Sequence, residues 1–271
     1  DSYTYATLRN EIITNDKPNA TENDLVFDNY AVERFRLNDD PIMYPSIDWR
    51  RYLLNKTSVQ TQHNLNISGG TKDIRYFISL GFLYQNGLLK QFEGVGYDNN
   101  YKYKRYNYRA NLDFDATKTT TLKIGIGGIV GNRNEPMIND ATNSIWTLIN
   151  QTTPFSSPGV IDGKLIVTPE ERFDNKINLG NSALPKCYGT GYSTAINNTM
   201  NLDLLLNQKL DFITKGLSAE IKGAYNTSYG FTKKRKGQVE QFMPFYQSSL
   251  EDPSLGYDSP DFNKNIVYKI K

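Results

Sequence analysis

The sequence predicts an all-β chain, an antiparallel up-and-down meander forming part of the wall of a transmembrane β-barrel, with long loops on one side and short helices near the N-terminus. Three observations predict it. From about residue 60 the chain alternates apolar and polar side chains with a period of two. The links between alternating segments are by turns short and long. Aromatic residues make up 13% of the 271 residues, with 19 Tyr, although only 38% are hydrophobic. Such material is poor for a thick water-soluble core and suits a sheet with one apolar face, one wet face and aromatic rims.

The opening stretch, residues 1–58, is not strand-like. Tyr5, Leu8 and Ile12 recur at helical spacing and predict a short amphipathic helix from Ser2 to Thr14. A second short helix is expected around Tyr30 to Leu37, with Asp28 available as its cap. Pro41 and Pro45 then break any helix ahead of Asp48-Trp49. Residues 1–58 are read as an ordered loop with small helices on the extracellular side, and residues 59–271 as the partial barrel.

Six strands follow, at about 63–69, 74–85, 105–116, 121–131, 196–212 and 217–231. The third is the cleanest. Tyr106, Tyr108, Ala110, Leu112 and Phe114 alternate with Arg105, Asn107, Arg109, Asn111, Asp113 and Asp115. Successive strand side chains point to opposite faces, so one face is apolar and the other wet. Tyr76, Ile78, Leu80, Phe82 and Tyr84 repeat the split, as do Met200, Leu202, Leu204 and Leu206, and Leu217, Ala219, Ile221 and Tyr225. Leu65 with Ile67, and Leu122 with Ile124 and Ile126, are weaker members.

The links at Gly69 to Asp73, Thr117 to Thr120 and Ile213 to Gly216 are short, whereas Asn86 to Lys104 and Asn132 to Ala195 are long. Short turns on one side and long loops on the other mark an outer-membrane barrel. Tyr84, Tyr106, Tyr225 and Tyr229 fall towards the long-loop ends and Phe114 and Phe212 at the short-turn ends, as membrane-boundary girdles would. The longest loop carries Pro136, Pro154, Pro158, Pro169 and Pro185, and a short helix from Asp140 to Asn150 is expected to bury Ile145, Trp146 and Ile149. A loop of that length is usually functional, here in covering or lining the mouth of a pore.

Charge excludes several classes. With 31 basic and 29 acidic residues the net charge is +2, which gives no electrostatic case for nucleic acid. The run Lys233-Lys234-Arg235-Lys236 is read as a solvated loop after a strand. One cysteine, Cys187, and one histidine, His63, leave neither a disulfide nor a thiol or histidine metal cluster, and Asp39, Asp40 and Asp48 lack calcium-loop spacing. Asp113 and Asp115 share a face with other polar residues and read as wet lining rather than an acid–base pair. Gly125, Gly127, Gly128 and Gly131 miss the nucleotide-loop spacing and are read as relieving crowding where a barrel bends. No catalytic, metal or cofactor site is expected, and the chain is not read as an enzyme. There is no basic, apolar leader at residue 1, so any export signal is expected upstream.

The stretch from Tyr44 to Gln85 resembles the SusC/RagA family of TonB-linked outer-membrane transporters. The elements that carry it are Pro45 with Asp48-Trp49, then His63-Asn64-Leu65 through Ser68-Gly69-Gly70, then Arg75-Tyr76-Phe77. Lys104 to Gly128, Pro154 to Lys164 and Lys215 to Asn226 are similar to later pieces of the same pattern. The resemblance implies a barrel of about 22 strands filled by an N-terminal plug. It also implies import of glycans or peptides powered by the TonB complex beneath a SusD-like surface lipoprotein. The plug, TonB box and closing strand of the pattern are not matched here, so the resemblance implies an early part of a barrel wall. Arg105, Asn107, Arg109 and Asn111 are the candidate lumen residues, because polar inward side chains tune what passes. Two other classes stay open: a secreted or surface glycan-binding β module, and a structural barrel or adhesin without transport.

Overall fold

The computed structural model describes residues 1–138, 144–179, 182–257 and 259–271. Its largest element is one six-stranded sheet: β1 (Gln60–Gly70), β2 (Ile74–Asn86), β3 (Lys102–Asp115), β4 (Thr120–Pro136), β7 (Gly191–Lys209) and β8 (Ser218–Lys236). These lie in the order β1-β2-β3-β4-β7-β8 and every neighbour is antiparallel. The sheet does not close, as expected of a partial barrel wall. At the long-loop end the strands run longer than the periodicity indicated, because β4 and β7 stay paired up to Pro136 and Tyr192, where the alternation has faded, whereas at the short-turn end β7 stops at Lys209, short of the expected 212. Lys233 to Lys236 is a correction: the run is not a loop but the end of β8, paired to Gly191 through Thr194.

The register carries one mainly apolar and one mainly polar face across all six strands. One row reads Ile67, Ile78, Ala110, Ile126, Leu202 and Tyr225. The next row towards the loops runs Leu65, Leu80, Tyr108, Gly128, Met200 and Thr227, and beyond it lie His63, Phe82, Tyr106 and Val130. Along its middle no described residue packs over this face: Leu112, Leu204 and Ile221 are 36%, 47% and 70% exposed. This face therefore contributes no buried core among the described residues.

The core sits at the long-loop end. Residues before β1, the loops after β2 and β4, and the segment after β8 form a cap there, while three short turns join the strands at the other end. The helices are α1 (Ser2–Asp16), α2 (Asn29–Leu37), α3 (Trp49–Leu53), α4 (Ile145–Gln151), α5 (Ala183–Tyr188) and α6 (Gln247–Glu251). Asp28 caps α2 as expected, accepting from the Ala31 amide at 2.6 Å. Asp48 does the same for α3, a helix the prolines hid, by accepting from Arg51 at 3.2 Å.

Two expectations about faces are corrected. In α1 the buried residues are Ser2 and Ala6, and Leu8 and Ile12 face solvent. Ser2 is held by its amide on Ser46 Oγ at 2.9 Å and its hydroxyl on the Pro45 carbonyl at 2.7 Å, which turns the helix away from the face that spacing favoured. In α4, Ile145 and Ile149 are buried but Trp146 is 50% exposed. The expected start of that helix, Asp140 to Asn143, lies outside the described residues.

Two apolar clusters fill the cap. One gathers Phe27, Phe35, Phe155 and Phe173, with Phe27–Phe155 at 5.2 Å and Phe155–Phe173 at 5.3 Å, both edge-on. The other joins Trp49, Leu53, Leu89, Leu148, Leu184 and Tyr188. Each draws on segments far apart in sequence, so the opening stretch and the longest loop are one packed unit. A second sheet, unforeseen because its strands are too short to show a period, has the order β10-β9-β6-β5. Its members are β5 (Gly159–Ile161), β6 (Lys164–Ile166), β9 (Gln241–Tyr246) and β10 (Ile266–Ile270).

Candidate functional site

The polar face of the large sheet and the cap that leans over it make the site. Antiparallel partners share a face, so the register places Arg105 with Leu83 and Gly131, and Asn107 with Gly81 and Ile129. Arg109 falls with Ser79 and Gly127, and Asn111 with Phe77 and Gly125. The four candidates thus stand in one column on one face, each beside a glycine of a neighbouring strand. The glycines make room. A Cβ on Gly81 would sit 3.0 Å from Asn64 Oδ1 and 3.2 Å from Asn107 Nδ2. Gly128 does the equivalent on the apolar face, where the Tyr108 ring lies over it.

Two cavities open along this face. Arg109 and Asn111 line the lower one, of about 480 Å³, together with Arg75, Asp113, Lys123, Asp203 and Lys222. Arg75 lies 3.9 Å from Asp113 and 3.6 Å from Asp115, and the Thr121 hydroxyl donates to Asp115 at 2.8 Å. Asp113 and Asp115 are therefore paired with an arginine, as wet lining. Exposed pairs of this kind contribute little stability and leave the face a mixture of both signs. Arg105 and Asn107 line neither this cavity nor the larger one. Arg105 Nε and Asn107 Oδ1 are buried and meet no hydrogen-bond partner.

The larger cleft, of about 1020 Å³, lies where the polar face passes under the cap. Gln85, Tyr103, Arg133 and Asn197 rise from the strands, and Leu54, Leu88, Ile145 and Trp146 descend from the cap. Sequence reasoning missed these residues. The available signal was parity: Gln85 and Asn197 stand on the wet face inside the assigned strands, and Tyr103 and Arg133 continue it just beyond the strand ends assigned from periodicity. The cleft offers a bare indole beside amide and guanidinium donors. Asn134 ties the loop after β2 to the wall, donating to the Asp98 and Asn100 carbonyls at 3.0 and 2.9 Å.

The cap is held by buried polar contacts. Arg172 donates to the Met43 carbonyl at 2.6 Å and to the Pro244 carbonyl, and its guanidinium lies 5.8 Å from the Tyr44 ring. Burial pushes its pKa down and that of Tyr44 up. Asp40 accepts from the Tyr246 hydroxyl, Asp39 pairs with Arg34 at 2.6 Å, and Asp48 serves as a cap, so each of the three acids has a structural task. Cys187 is buried in the second cluster, and desolvation pushes its thiol up to about 12. His63 stacks on Phe82 at 6.4 Å between centroids, on the apolar face. Among the described residues no group of His, Cys, Asp or Glu is placed to hold a metal.

No family model matches the chain. A TonB-dependent receptor, SusC of Bacteroides thetaiotaomicron, is 25% identical over 171 residues, which are 58% of this chain and 16% of that protein. The chain thus spans a small part of the length of this curated relative. The resemblance carried by the Tyr44 to Gln85 stretch and its companions is supported by this match, and the relative is a receptor rather than an enzyme. Two solved structures are similar in part. The RagAB peptide importer in its closed-closed state covers 70% of this chain and 20% of its own, at 16% identity and a TM-score of 0.49. A RagAB peptide transporter structure covers 72% and 20%, at 15% identity and a TM-score of 0.41.

Proposed function

We propose that this chain is a wall segment, with its extracellular cap, of an outer-membrane TonB-dependent transporter that imports oligosaccharides or peptides together with a SusD-like lipoprotein. One observation carries the reading. The two faces of the sheet differ in charge as lipid and water differ. No carboxylate stands on the apolar face of any of the six strands, whereas the polar face holds Arg75, Asp113, Asp115, Lys123, Asp203, Glu220 and Lys222 among others. From Phe114 to Tyr106 on β3 is eight residues, about 26 Å of strand at ~3.3 Å per residue. Tilted by about 40°, that spans roughly 20 Å of height, close to the ~25 Å apolar band of a membrane barrel.

On this reading residues 1–58 lie on the extracellular side and residues 59–271 supply wall and further cap. Arg105, Asn107, Arg109 and Asn111 face the lumen, where a passing polar substrate meets them, and Trp146 stands at the entrance. A soluble glycan-binding module would need a second layer over Leu112, Leu204 and Ile221, and nothing described packs there.

The test is a pair of nitroxide labels in the membrane-reconstituted transporter, one at Leu202 and one at Asn201. These are neighbours of equal depth on opposite faces. Dissolved oxygen should reach the first and a water-soluble nickel complex the second. Nickel access at both positions would overturn the lipid-facing assignment. Arg105→Ala and Arg109→Ala should alter uptake while the wall stays intact, and unchanged uptake with both would remove these residues from the substrate path.

A further inference from the structure

Charged residues on the apolar face are few and placed in one zone. Among the described residues of the six strands they are Lys102, Lys104, Lys233 and Arg235, all cations. Every one lies on the cap side of the Phe82, Tyr106 and Tyr229 positions, the aromatic edge of the apolar band. Lys104 shares a row with Tyr84 and reaches 6.0 Å from its ring, and Arg235 lies 5.9 Å from the ring of Tyr192 opposite it. Lys102 is already paired with Asp98, and among the described residues no carboxylate pairs with Lys104, Lys233 or Arg235. The run at Lys233 to Lys236 divides by parity: Lys233 and Arg235 stand on the apolar face, and Lys234 and Lys236 opposite Ser193 and Gly191 on the polar face.

We infer that Lys104, Lys233 and Arg235 form a strip that binds the phosphate-bearing headgroups of anionic lipids in the leaflet next to the cap. This rests on the membrane placement proposed above and adds to it a ligand for the rim. The physical case is complementarity. Just beyond an aromatic boundary a bilayer presents headgroups, and cations there are attracted to anionic lipid while carboxylates are repelled. Amphipathic stems of Lys and Arg lie along the apolar surface with their charged ends in the headgroup layer. Each free cation is expected to favour an anionic over a neutral headgroup roughly fivefold at low salt, and less as salt rises.

The test uses the reconstituted transporter in bilayers of phosphatidylcholine alone and of phosphatidylcholine with phosphatidylglycerol, and measures enrichment of the anionic lipid at the protein surface by spin-labelled lipids. Lys233→Gln with Arg235→Gln should lower the enrichment several-fold, and adding Lys104→Gln should lower it further. Lys234→Gln with Lys236→Gln removes equal charge from the same run on the other face and should leave it unchanged. Equal losses from both pairs, or none from either, would overturn the strip. So would abolition of the preference by inorganic phosphate, which would make the cations a site for free anions. If the protein enters neither bilayer, the membrane placement fails and the strip with it; entry into both without lipid preference refutes the strip alone.

Discussion

Leu202 offers the sharpest perturbation of the wall. It lies in the row Ile67, Ile78, Ala110, Ile126, Leu202 and Tyr225, midway along β7 between Leu206 and Asn198, and it is 37% exposed with no protein over it. In hydrocarbon, an arginine at the midplane of a barrel face costs about 2–4 kcal/mol and near the boundaries only about 0–1. Leu202→Arg should therefore shift the folding equilibrium by roughly two decades, Asn198→Arg by little, and Asn201→Arg, one residue away on the polar face, by little. In water an exposed leucine replaced by arginine is close to neutral, so the two environments predict different depth profiles. The assay is equilibrium unfolding by guanidinium of the barrel folded into phospholipid vesicles. A flat profile from Asn198 to Leu206, or equal costs at Asn201 and Leu202, would refute the argument that this face meets lipid.

Three further outcomes concern the cap. Phe155 is fully buried among Phe27, Phe35 and Phe173, so Phe155→Ala should cost about 3–5 kcal/mol of cap stability, seen as faster proteolysis of the cap with far-ultraviolet strand signal retained. Arg172→Lys loses the two-armed bond that joins Met43 to Pro244 and should cost about 1–3 kcal/mol, read as a lower thermal midpoint of the same region. Cys187 should resist maleimide at pH 8 in the folded protein and react once denatured. Its thiol ionises near pH ~8.5 when free and is pushed up to about 12 in place, so its contribution to stability is full below the free value and is lost as pH rises through that window.

The sheet was legible because its signal is local and repeated. In β3 every even position from Tyr106 to Phe114 is apolar, and no tertiary contact was needed to read the faces. The strand ends were less so, since Thr194, Asn134 and Lys233 are polar on both sides of the alternation and pair only because their neighbours do. The cap resisted for a different reason. Its helices are short, and contacts between segments far apart in sequence decide their faces, as Ser46 and Pro45 do for α1. Of the site, the column at Arg105 to Asn111 could be named from parity, whereas the cleft at Trp146 depends on how the cap folds over the wall.

The ring of Tyr108 over Gly128 fixes more than a contact. A Cβ at Gly128 would fall 2.4 Å from both the Tyr108 hydroxyl and the Thr199 carbonyl, so this notch admits the ring only because glycine lies there. Sliding β3 along β4 by two residues keeps the faces but brings Tyr108 opposite Ile126 or Val130, where no notch exists. Tyr76 over Gly69 keys β2 to β1 in the same manner. In the barrel proposed above, the stagger between adjacent strands would sum to the shear, and shear with strand number sets the radius, so two tyrosine–glycine keys would help to set the width of the pore.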